Sequence, residues 1–475
     1  MDTNPPRILD FNWSPTRVVW DKVYDIRVSF KLSYPPDKIS NVKLTFKPEK
    51  YSYFITEYGM RPEDYYKVFP NDSRVYELKP IDGVLDEPME EFEVNITNIT
   101  GGAEYWIIIQ IQTKNGRTIE HKTKTPYIRQ YENFGRQLYE KGIIVGTPYY
   151  LWYREDLSNW HDYGHKYTPL IGTYKSSDPT VISKHIDWAT GYGVNLFLVS
   201  WSGYEEGDLK FFDENLQLMF NLEISKDIYI AILYESVGRL ISRPAPVYIS
   251  FNDEENVDIL TNDLEYLAKT YFSKENYLHM EGRPVIYLYG SKGYTGDLES
   301  ALRKIRNAII NEHGTDLFMI SDHAHPLADI NDPVWINRLK QFDGVTVWLG
   351  GYLPDGKYVG GSYNDQLKSN YFKWYNLTHE LGVFLIPFGT PEFDNRLSWG
   401  APDSIPIPRD KSSSEQKLQT LLKYSSELPG QYKMVFWGTF NDFFESTTLE
   451  PSVEYGFSPL KVLKDVLSEY ANRFN

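Results

Sequence analysis

The fold is decided by stretches such as Ile228–Glu235, IYIAILYE, an unbroken run of apolar residues that ends in a carboxylate. A run of this kind is typical of a strand that is buried on both faces, as in a parallel sheet. Seven other runs are likewise continuous stretches of apolar or β-branched residues. The intervals between neighbouring runs are long enough for a helix. In chain order the predicted strands are Ile143–Tyr150, Asn195–Trp201, Ile228–Glu235, Pro284–Tyr289, Leu317–Asp322, Val345–Leu349, Val383–Phe388 and Met434–Phe440.

Helix-like segments lie between these strands. The pair Asp178-Pro179 marks one helix start, because Asp is a favoured N-cap and Pro is favoured at the first helical position. Strand and helix therefore alternate over residues 128–475, which predicts a (β/α)₈ TIM barrel as a catalytic domain. A doubly wound open sheet is the alternative, but no Gly-x-Gly-x-x-Gly loop follows the first strand. The predicted helices include Asp178–Thr190, Asn256–Tyr271, Asp297–Glu312, Ser413–Leu428 and Leu460–Tyr470.

Residues 1–127 have a different pattern, in which short alternating runs are separated by turn residues such as Pro35-Pro36-Asp37 and Gly101-Gly102. This spacing predicts a separate all-β sandwich domain, similar to a fibronectin type III module. The predicted strands are Val23–Leu32, Val42–Phe46, Arg74–Leu78, Phe92–Ile96 and Tyr105–Thr113.

Composition excludes several classes of function. The chain has 475 residues, which fits two or three domains. It has no cysteine, so disulfides, thiolate zinc sites and a cysteine nucleophile are excluded. Its net charge of −16 argues against nucleic acid and anionic membranes as partners. No run of about 18 apolar residues is present to insert into a membrane.

Polar and aromatic side chains follow nearly every predicted strand, and in a TIM barrel these strand ends meet at one mouth. The 38 Tyr and 12 Trp of the chain suit a sugar-binding cleft as well as a large core. Glycoside hydrolysis needs two carboxyl groups that flank the sugar, although some strand-end carboxylates are helix caps or loop residues in the alternative interpretation. The candidates are Tyr153, Ser200, Trp201, Glu235, Arg239, Tyr289, Asp322, Trp348, Glu392, Asp394, Asn441, Asp442, Glu445 and Glu450.

Two other kinds of site have weaker support. Asp322-His323-Ala324-His325 is a candidate metal site, but a third histidine or carboxylate at a defined spacing is missing. A Ser/His/Asp triad lacks the Gly-x-Ser-x-Gly turn that carries the nucleophile in many hydrolases. We therefore expect neither a metal nor another cofactor.

The segment Phe436–Pro451, FWGTFNDFFESTTLEP, is the most informative part of the sequence. An apolar strand ends there in two carboxylates three residues apart, Asp442 and Glu445. If a helical turn follows the strand, this spacing places both on one side. Asn441 is suited to orient a carboxylate or a sugar hydroxyl.

These residues resemble glycoside hydrolase family 99, the endo-α-mannosidases and endo-α-mannanases, and the related WbsX-like domains. The last strand of that family is similar to S-F-N-E-W-H-E-G-T-x-I-E-P, and the stretch 439–451 follows this pattern. Earlier stretches match the family in the same order. They are Tyr149–Tyr153, Ser177–Pro179 with His185 and Trp188, Val199–Trp201, and Leu233–Glu235 with Gly238 and Arg239.

The resemblance implies a retaining, endo-acting hydrolase of α-mannosidic links that uses no metal. In the family, the first glutamate of N-E-x-x-E assists the sugar's own 2-hydroxyl, which gives a 1,2-anhydro sugar intermediate. The second glutamate is the general acid and then the general base. These roles fall here on Asp442 and Glu445. Substrate-binding residues implied by the resemblance are Glu235, Arg239, Tyr289 and Asn441, to which position at the mouth adds Tyr153, Trp201, Trp348 and Glu450.

The sequence also departs from the family pattern. Asp442 stands where the family has Glu, and its side chain is shorter by one methylene, roughly 1.3–1.5 Å of reach. A misplacement of about 1 Å can lower a rate about a hundredfold. The family's Trp and His are replaced by Phe443 and Phe444, its Pro by Ser236 and its Gly by Ser446.

Three functions therefore stay open: a retaining endo-glycosidase acting on an α-linked, mannose-containing glycan, a catalytically weak or inactive glycan-binding protein, and a WbsX-type glycan-processing domain. The expected partner in each is an oligosaccharide or a glycoprotein glycan. The sequence starts without a basic n-region or an apolar h-region, which fits a cytoplasmic protein or an exported one whose signal is not included. We expect an extracellular or cell-surface protein in preference to a cytoplasmic one.

Overall fold

The computed structural model describes residues 6–14, 24–34, 39–49, 73–99, 101–243, 248–322, 331–348, 350, 363–398, 405–426 and 433–474. The chain divides into two compact units, one of Met1–Glu132 with Leu170–Gly172 and one of Asn133–Pro169 with Thr173–Asn475. Within the described ranges, no helix combines the length and apolar character needed to cross a membrane.

The first unit is an antiparallel β-sandwich, as predicted. Its two sheets have the strand orders β1-β2-β5 and β4-β3-β6-β7. Their inward side chains form one core, in which Phe30 stacks on Phe92 and Phe46 stacks on Tyr105. The strands are β1 Arg7–Ser14, β2 Tyr24–Ser33, β3 Ile39–Pro48, β4 Arg74–Glu77, β5 Met89–Ile99, β6 Tyr105–Thr113 and β7 Thr118–Lys124.

All the strands predicted for this unit are confirmed, but β1 and β7 were not predicted. Both are edge strands whose side chains are exposed or only partly buried. An edge strand buries little apolar surface, so its sequence lacks the hydrophobic alternation that marks the central strands. The predicted turn at Pro35-Pro36-Asp37 lies outside the described residues.

The second unit is the predicted (β/α)₈ barrel. Its parallel strands pair in the order β18-β17-β16-β14-β10-β9-β8-β20-β19. Only Pro387 separates β18 from β19, so the two ends of this order are parts of one strand and the sheet closes on itself. The strands of the unit are β8 Ile143–Tyr149, β9 Leu196–Trp201, β10 Tyr229–Glu235, β11 Ser242–Arg243, β12 Tyr248–Ser250, β13 His279–Met280, β14 Arg283–Tyr289, β15 Tyr294–Thr295, β16 Phe318–Ser321, β17 Gly344–Thr346, β18 Phe384–Ile386, β19 Phe388–Gly389 and β20 Lys433–Trp437.

Helices follow the barrel strands, and the helix start predicted at Asp178-Pro179 is confirmed. The Asp178 carboxylate accepts a hydrogen bond from the Thr180 amide at 2.9 Å, and Pro179 is the first residue of its helix. The helices are α1 Phe134–Glu140, α2 Ser158–Asp162, α3 Pro179–Gly191, α4 Asp208–Asn221, α5 Ser236–Arg239, α6 Glu254–Thr270, α7 Leu298–His313, α8 Pro333–Leu339, α9 Tyr363–Leu381, α10 Lys411–Ser426 and α11 Ser458–Ala471.

Alternate residues of the strands fill the barrel interior, as the two-residue period of a strand requires. Leu198, Leu233, Tyr287 and Ile320 belong to this inner core, and all are fully buried or nearly so. The side chain two positions beyond each of them points to the same inner face and stands at the mouth. The strand period therefore selects the residues that form the floor of the site.

Candidate active site

The innermost layer at the mouth is polar. Continuing the inward-facing positions by two residues gives Ser200, Glu235, Tyr289 and Asp322 on four neighbouring strands. The Ser200 hydroxyl donates to Glu235 Oε1 at 2.8 Å, which confirms that these two side chains meet. Glu235 and Tyr289 keep partial exposure, so solvent reaches this layer. The part of the barrel mouth around it is called the pocket.

The segment after β20 forms the turn that the spacing of its carboxylates requires. Asp442 Oδ1 accepts hydrogen bonds from the amides of Phe444 at 2.9 Å and Glu445 at 3.0 Å, as an N-cap carboxylate does. The two ends of the segment pair with each other, because the Leu449 amide donates to the Thr439 carbonyl at 2.8 Å. The turn that carries both predicted catalytic residues is therefore a closed loop on the last strand.

Three carboxyl groups share the pocket. The pKa of Glu445 is raised well above its ordinary value by burial and then by the charges of Asp442 and Glu235. Burial also raises the pKa of Asp442 to about 7, against the opposing effect of its two amide donors. No lysine or arginine contributes to the pKa shift of either Asp442 or Glu445. The sequence prediction that Glu235, Asp442 and Glu445 meet is consistent with this coupling.

Glu235 has the third raised pKa, about 7, because burial outweighs the hydrogen bond from Ser200 and because Asp322 adds negative charge. The charges of these carboxyl groups also act on two tyrosine hydroxyls, those of Tyr150 and Tyr289. The pKa of each hydroxyl is raised well above its usual range by burial and then by the surrounding carboxylates. The pocket thus combines a proton-rich carboxyl cluster with phenol hydroxyls.

Aromatic rings stand beside the carboxyl groups. The partly exposed Trp348 lies edge-on to Tyr289 with ring centroids 6.0 Å apart, and Tyr150 stacks on Trp152 at 3.9 Å. Ring faces and edges next to polar tips are the surfaces on which a pyranose is held. Tyr289 and Trp348, both predicted to bind substrate, occupy this layer.

Asp322 is held in place by the loop after β14. Its Oδ1 accepts from the Ser291 hydroxyl at 2.9 Å and the Lys292 amide at 2.7 Å, and its Oδ2 accepts from the Gly290 amide at 2.9 Å. With both oxygens occupied, Asp322 acts on the site through its charge. His323 and His325 of the motif considered as a metal site lie outside the described residues, and the described residues contain no cluster of His, Asp and Glu suited to a metal.

Trp201 and Arg239, which were predicted to bind substrate, lie among the helices outside the barrel. The Trp201 indole donates to Asp213 at 3.0 Å, and the Arg239 guanidinium pairs with Asp263, 2.6 Å from Nε. Trp201 follows the inward-facing Ser200, so it points to the opposite face of the strand. The strand period therefore assigns Trp201 to the packing of β9 on its helices, while ion pairing with Asp263 of α6 holds Arg239.

Tyr153, Asn441 and Glu450 are buried directly behind the pocket. Asn441 uses its whole amide group on Tyr150, accepting from the backbone amide at 2.8 Å and donating to the carbonyl at 2.9 Å. The Tyr153 hydroxyl donates to the Asn441 carbonyl. Glu450 is fully buried and accepts from the Tyr174 hydroxyl at 2.7 Å. These contacts join the first and last strands of the barrel.

The carboxylates after β19 belong to a separate cluster. Glu392 is paired with Lys166 at 2.7 Å and with Arg409 at 2.6 Å, and Asp394 is paired with Arg396 at 2.8 Å. Their charges are neutralised, so they are structural residues of the rim.

Tyr150 and Ser200 are the pocket residues that the choice of substrate-binding positions omitted. Both stand at inward positions of their strands, next to residues that were chosen. In a strand, every second side chain points to the same face. Counting onward in steps of two from the apolar core residues of each strand therefore identifies both residues.

Comparison with known proteins supports the fold. No protein-family model matches the chain, and no curated protein matches it. Among solved structures, a glycoside hydrolase-like protein is 19% identical, with a TM-score of 0.55 over 68% of this chain and 94% of its own. A GH99 endo-alpha-mannosidase from Bacteroides thetaiotaomicron, in complex with bis-tris-propane, is 15% identical, with a TM-score of 0.52 over 70% of this chain and 99% of its own. At these identities the likeness establishes the fold.

Proposed function

We propose that this chain is a retaining, endo-acting glycoside hydrolase of an α-linked, mannose-containing glycan. The observation that carries the proposal is the set of Glu235, Asp442 and Glu445 at the barrel mouth, where burial raises all three pKa values and the charges of Asp442 and Glu235 raise that of Glu445 further. A carboxyl group that keeps its proton near neutral pH can serve as a general acid, while a neighbour that ionises first serves as the base. The similarity to GH99 structures agrees with this assignment.

The roles are those that the resemblance to family 99 implies. Glu445, whose pKa is raised well above its ordinary value, donates its proton to the glycosidic oxygen as the bond to the anomeric carbon breaks. Asp442 takes the proton of the 2-hydroxyl, whose oxygen closes on the anomeric carbon to give a 1,2-anhydro sugar. Glu445, now a carboxylate, then removes a proton from the water that opens this ring, and Asp442 returns its proton to the 2-oxygen. Two displacements at the anomeric carbon retain its configuration.

The capping role of Asp442 supports its task as a base. Its Oδ1 is fixed by two amides, which orients the shorter side chain, and its Oδ2 makes no hydrogen bond with the described residues. The same observation favours a second candidate function, a glycan-binding protein without turnover. Asp442 is only 2% exposed and already has a structural role as a cap.

Replacement of the general acid tests the proposal. We expect Glu445→Gln to lower turnover at least about a hundredfold, because general acid catalysis typically contributes that much, while glycan binding is retained. Hydrolysis of α-mannan and glycoprotein glycans is followed by NMR of the released reducing end, which also reports whether configuration is retained. Glu206→Gln removes an exposed carboxylate that lies after β9 and is the matched control.

Three outcomes count against the proposal. Unchanged hydrolysis by Glu445→Gln removes the assignment of the acid, and an inverted product anomer removes the mechanism. Glycan binding by the native chain without release of any sugar from this panel establishes the second candidate function instead.

A further inference from the structure

Four side chains behind the pocket form a closed polar cluster that the proposed chemistry does not use. Tyr149, Tyr174, His185 and Glu450 come from β8, from the loop before α3, from α3 and from the end of the catalytic loop. His185 and Glu450 are fully buried, and the tyrosines are at most 2% exposed. A buried polar group without a partner costs on the order of 1–3 kcal/mol, so each of these groups depends on the others.

The contacts run in one chain. The Tyr149 hydroxyl lies 3.0 Å from His185 Nδ1, and His185 Nε2 lies 3.3 Å from Glu450 Oε1. The other carboxylate oxygen accepts from the Tyr174 hydroxyl. The contact between His185 and Glu450 is electrostatic and poorly aligned for a hydrogen bond, but neither atom has a better partner among the described residues.

Glu450 is also part of the catalytic loop through its backbone. Its amide donates to the Phe440 carbonyl at 2.7 Å, directly before Asn441 and Asp442. The Thr448 hydroxyl donates to the same carbonyl at 2.7 Å. The two ends of the loop are thus joined at Phe440, and the Glu450 side chain ties this junction to β8 and α3.

We infer that Glu450 is a positioning residue: through His185 and Tyr174 it fixes the loop that carries Asp442 and Glu445. This role replaces the predicted contact of Glu450 with substrate, since its carboxylate is fully buried, with Oε2 accepting from the Tyr174 hydroxyl and Oε1 lying against His185. The inference rests on the proposed function for its effect on catalysis, while its effect on the loop is independent of any substrate.

Glu450→Gln tests the inference, because it keeps the shape of the side chain and removes its charge. We expect faster hydrogen exchange of the Phe444 and Glu445 amides, measured by mass spectrometry on peptides that span residues 438–450. In the same variant we expect kcat on α-mannan to fall about tenfold to a hundredfold, as a displacement of about 1 Å does, with KM changed less than twofold. Glu454→Gln, an exposed carboxylate outside the cluster, should change none of these values.

Two outcomes overturn the inference. One is unchanged exchange in residues 438–450, and the other is exchange that rises equally throughout the barrel, which would indicate general destabilisation. If Glu450→Gln does not fold, Tyr174→Phe removes one hydroxyl donor and is judged by the same exchange criterion. Because exchange is measured without substrate, the inference is tested even if Glu445→Gln shows that the proposed function is wrong.

Discussion

Two groups of carboxylates lie at the rim of the same barrel, after the neighbouring strands β19 and β20. Glu392 and Asp394 in the first group are paired with arginine and lysine. In the second group the charges of Asp442 and Glu235 act on Glu445, and the pKa values of both Asp442 and Glu445 are raised. Burial is similar in the two groups, since Glu392 and Asp442 are both at most 2% exposed.

The difference between the groups lies in their counter-charges. A buried carboxylate beside arginine keeps its charge and contributes to the structure, whereas a buried carboxylate beside other carboxylates holds a proton that it can transfer. The arginine beside Asp394 lowers the pKa of that carboxyl, which is the opposite of the shift at Asp442. Under the proposed function, the residues that carry out the chemistry are the carboxylates that have no cationic partner among the described residues.

The largest effect is expected when the paired group loses its arginine. Arg409→Met leaves the buried Glu392 with the Tyr167 hydroxyl and the half-exposed Lys166 as its partners, so the free energy of unfolding should fall by about 3–5 kcal/mol. Chemical denaturation followed by fluorescence measures this change. Lys166→Met, which removes the more exposed partner, should cost about 1 kcal/mol and is the matched control. An equal loss of unfolding free energy in the two variants would show that Arg409 is not the main partner of Glu392.

Removal of a charge from the group without cationic partners should raise the free energy of unfolding, whereas Arg409→Met should lower it. A carboxyl whose pKa is raised on folding stabilises the native state below its unfolded pKa and loses that contribution as pH rises through the folded value. We expect Glu445→Gln to be more stable than the native chain at pH 8, with little difference near pH 4. Thermal unfolding across this pH range decides the sign. A variant that is less stable at pH 8 would show that Glu445 is not under charge repulsion.

The smallest effect concerns the hydrogen bond to Glu235. Ser200→Ala removes a donor that opposes the effect of burial, so the pKa of Glu235 should rise and the chain should lose about 1 kcal/mol at pH 8 and less at pH 4. Unfolding at the two pH values measures the difference. Ser183→Ala removes a hydroxyl bonded to the Pro179 carbonyl, and any loss there should be independent of pH. An equal pH dependence in both variants would exclude an ionised acceptor at Glu235.

The residue pattern alone predicts the barrel, the sandwich and the segment that carries the candidate catalytic carboxylates. Continuous apolar runs such as Ile228–Glu235 predict buried parallel strands because side chains on both faces must avoid water. The spacing of Asp442 and Glu445 predicts a turn that places both on one side, and Asp442 caps this turn as a short acidic side chain after a strand is able to do. These are local properties, which neighbouring residues in the chain decide.

Which of the candidate residues meet depends on contacts between distant parts of the folded chain. Glu392 resembles Glu445 in the sequence, yet Lys166 and Arg409 reach it from distant parts of the chain and neutralise it. Trp201 and Glu450 follow strands as the pocket residues do, but their side chains are buried against α4 and against His185. Charge pairing and burial depend on groups that are remote in sequence. The residue pattern therefore predicts which residues lie at the rim of the barrel, but not which of them are paired or buried there.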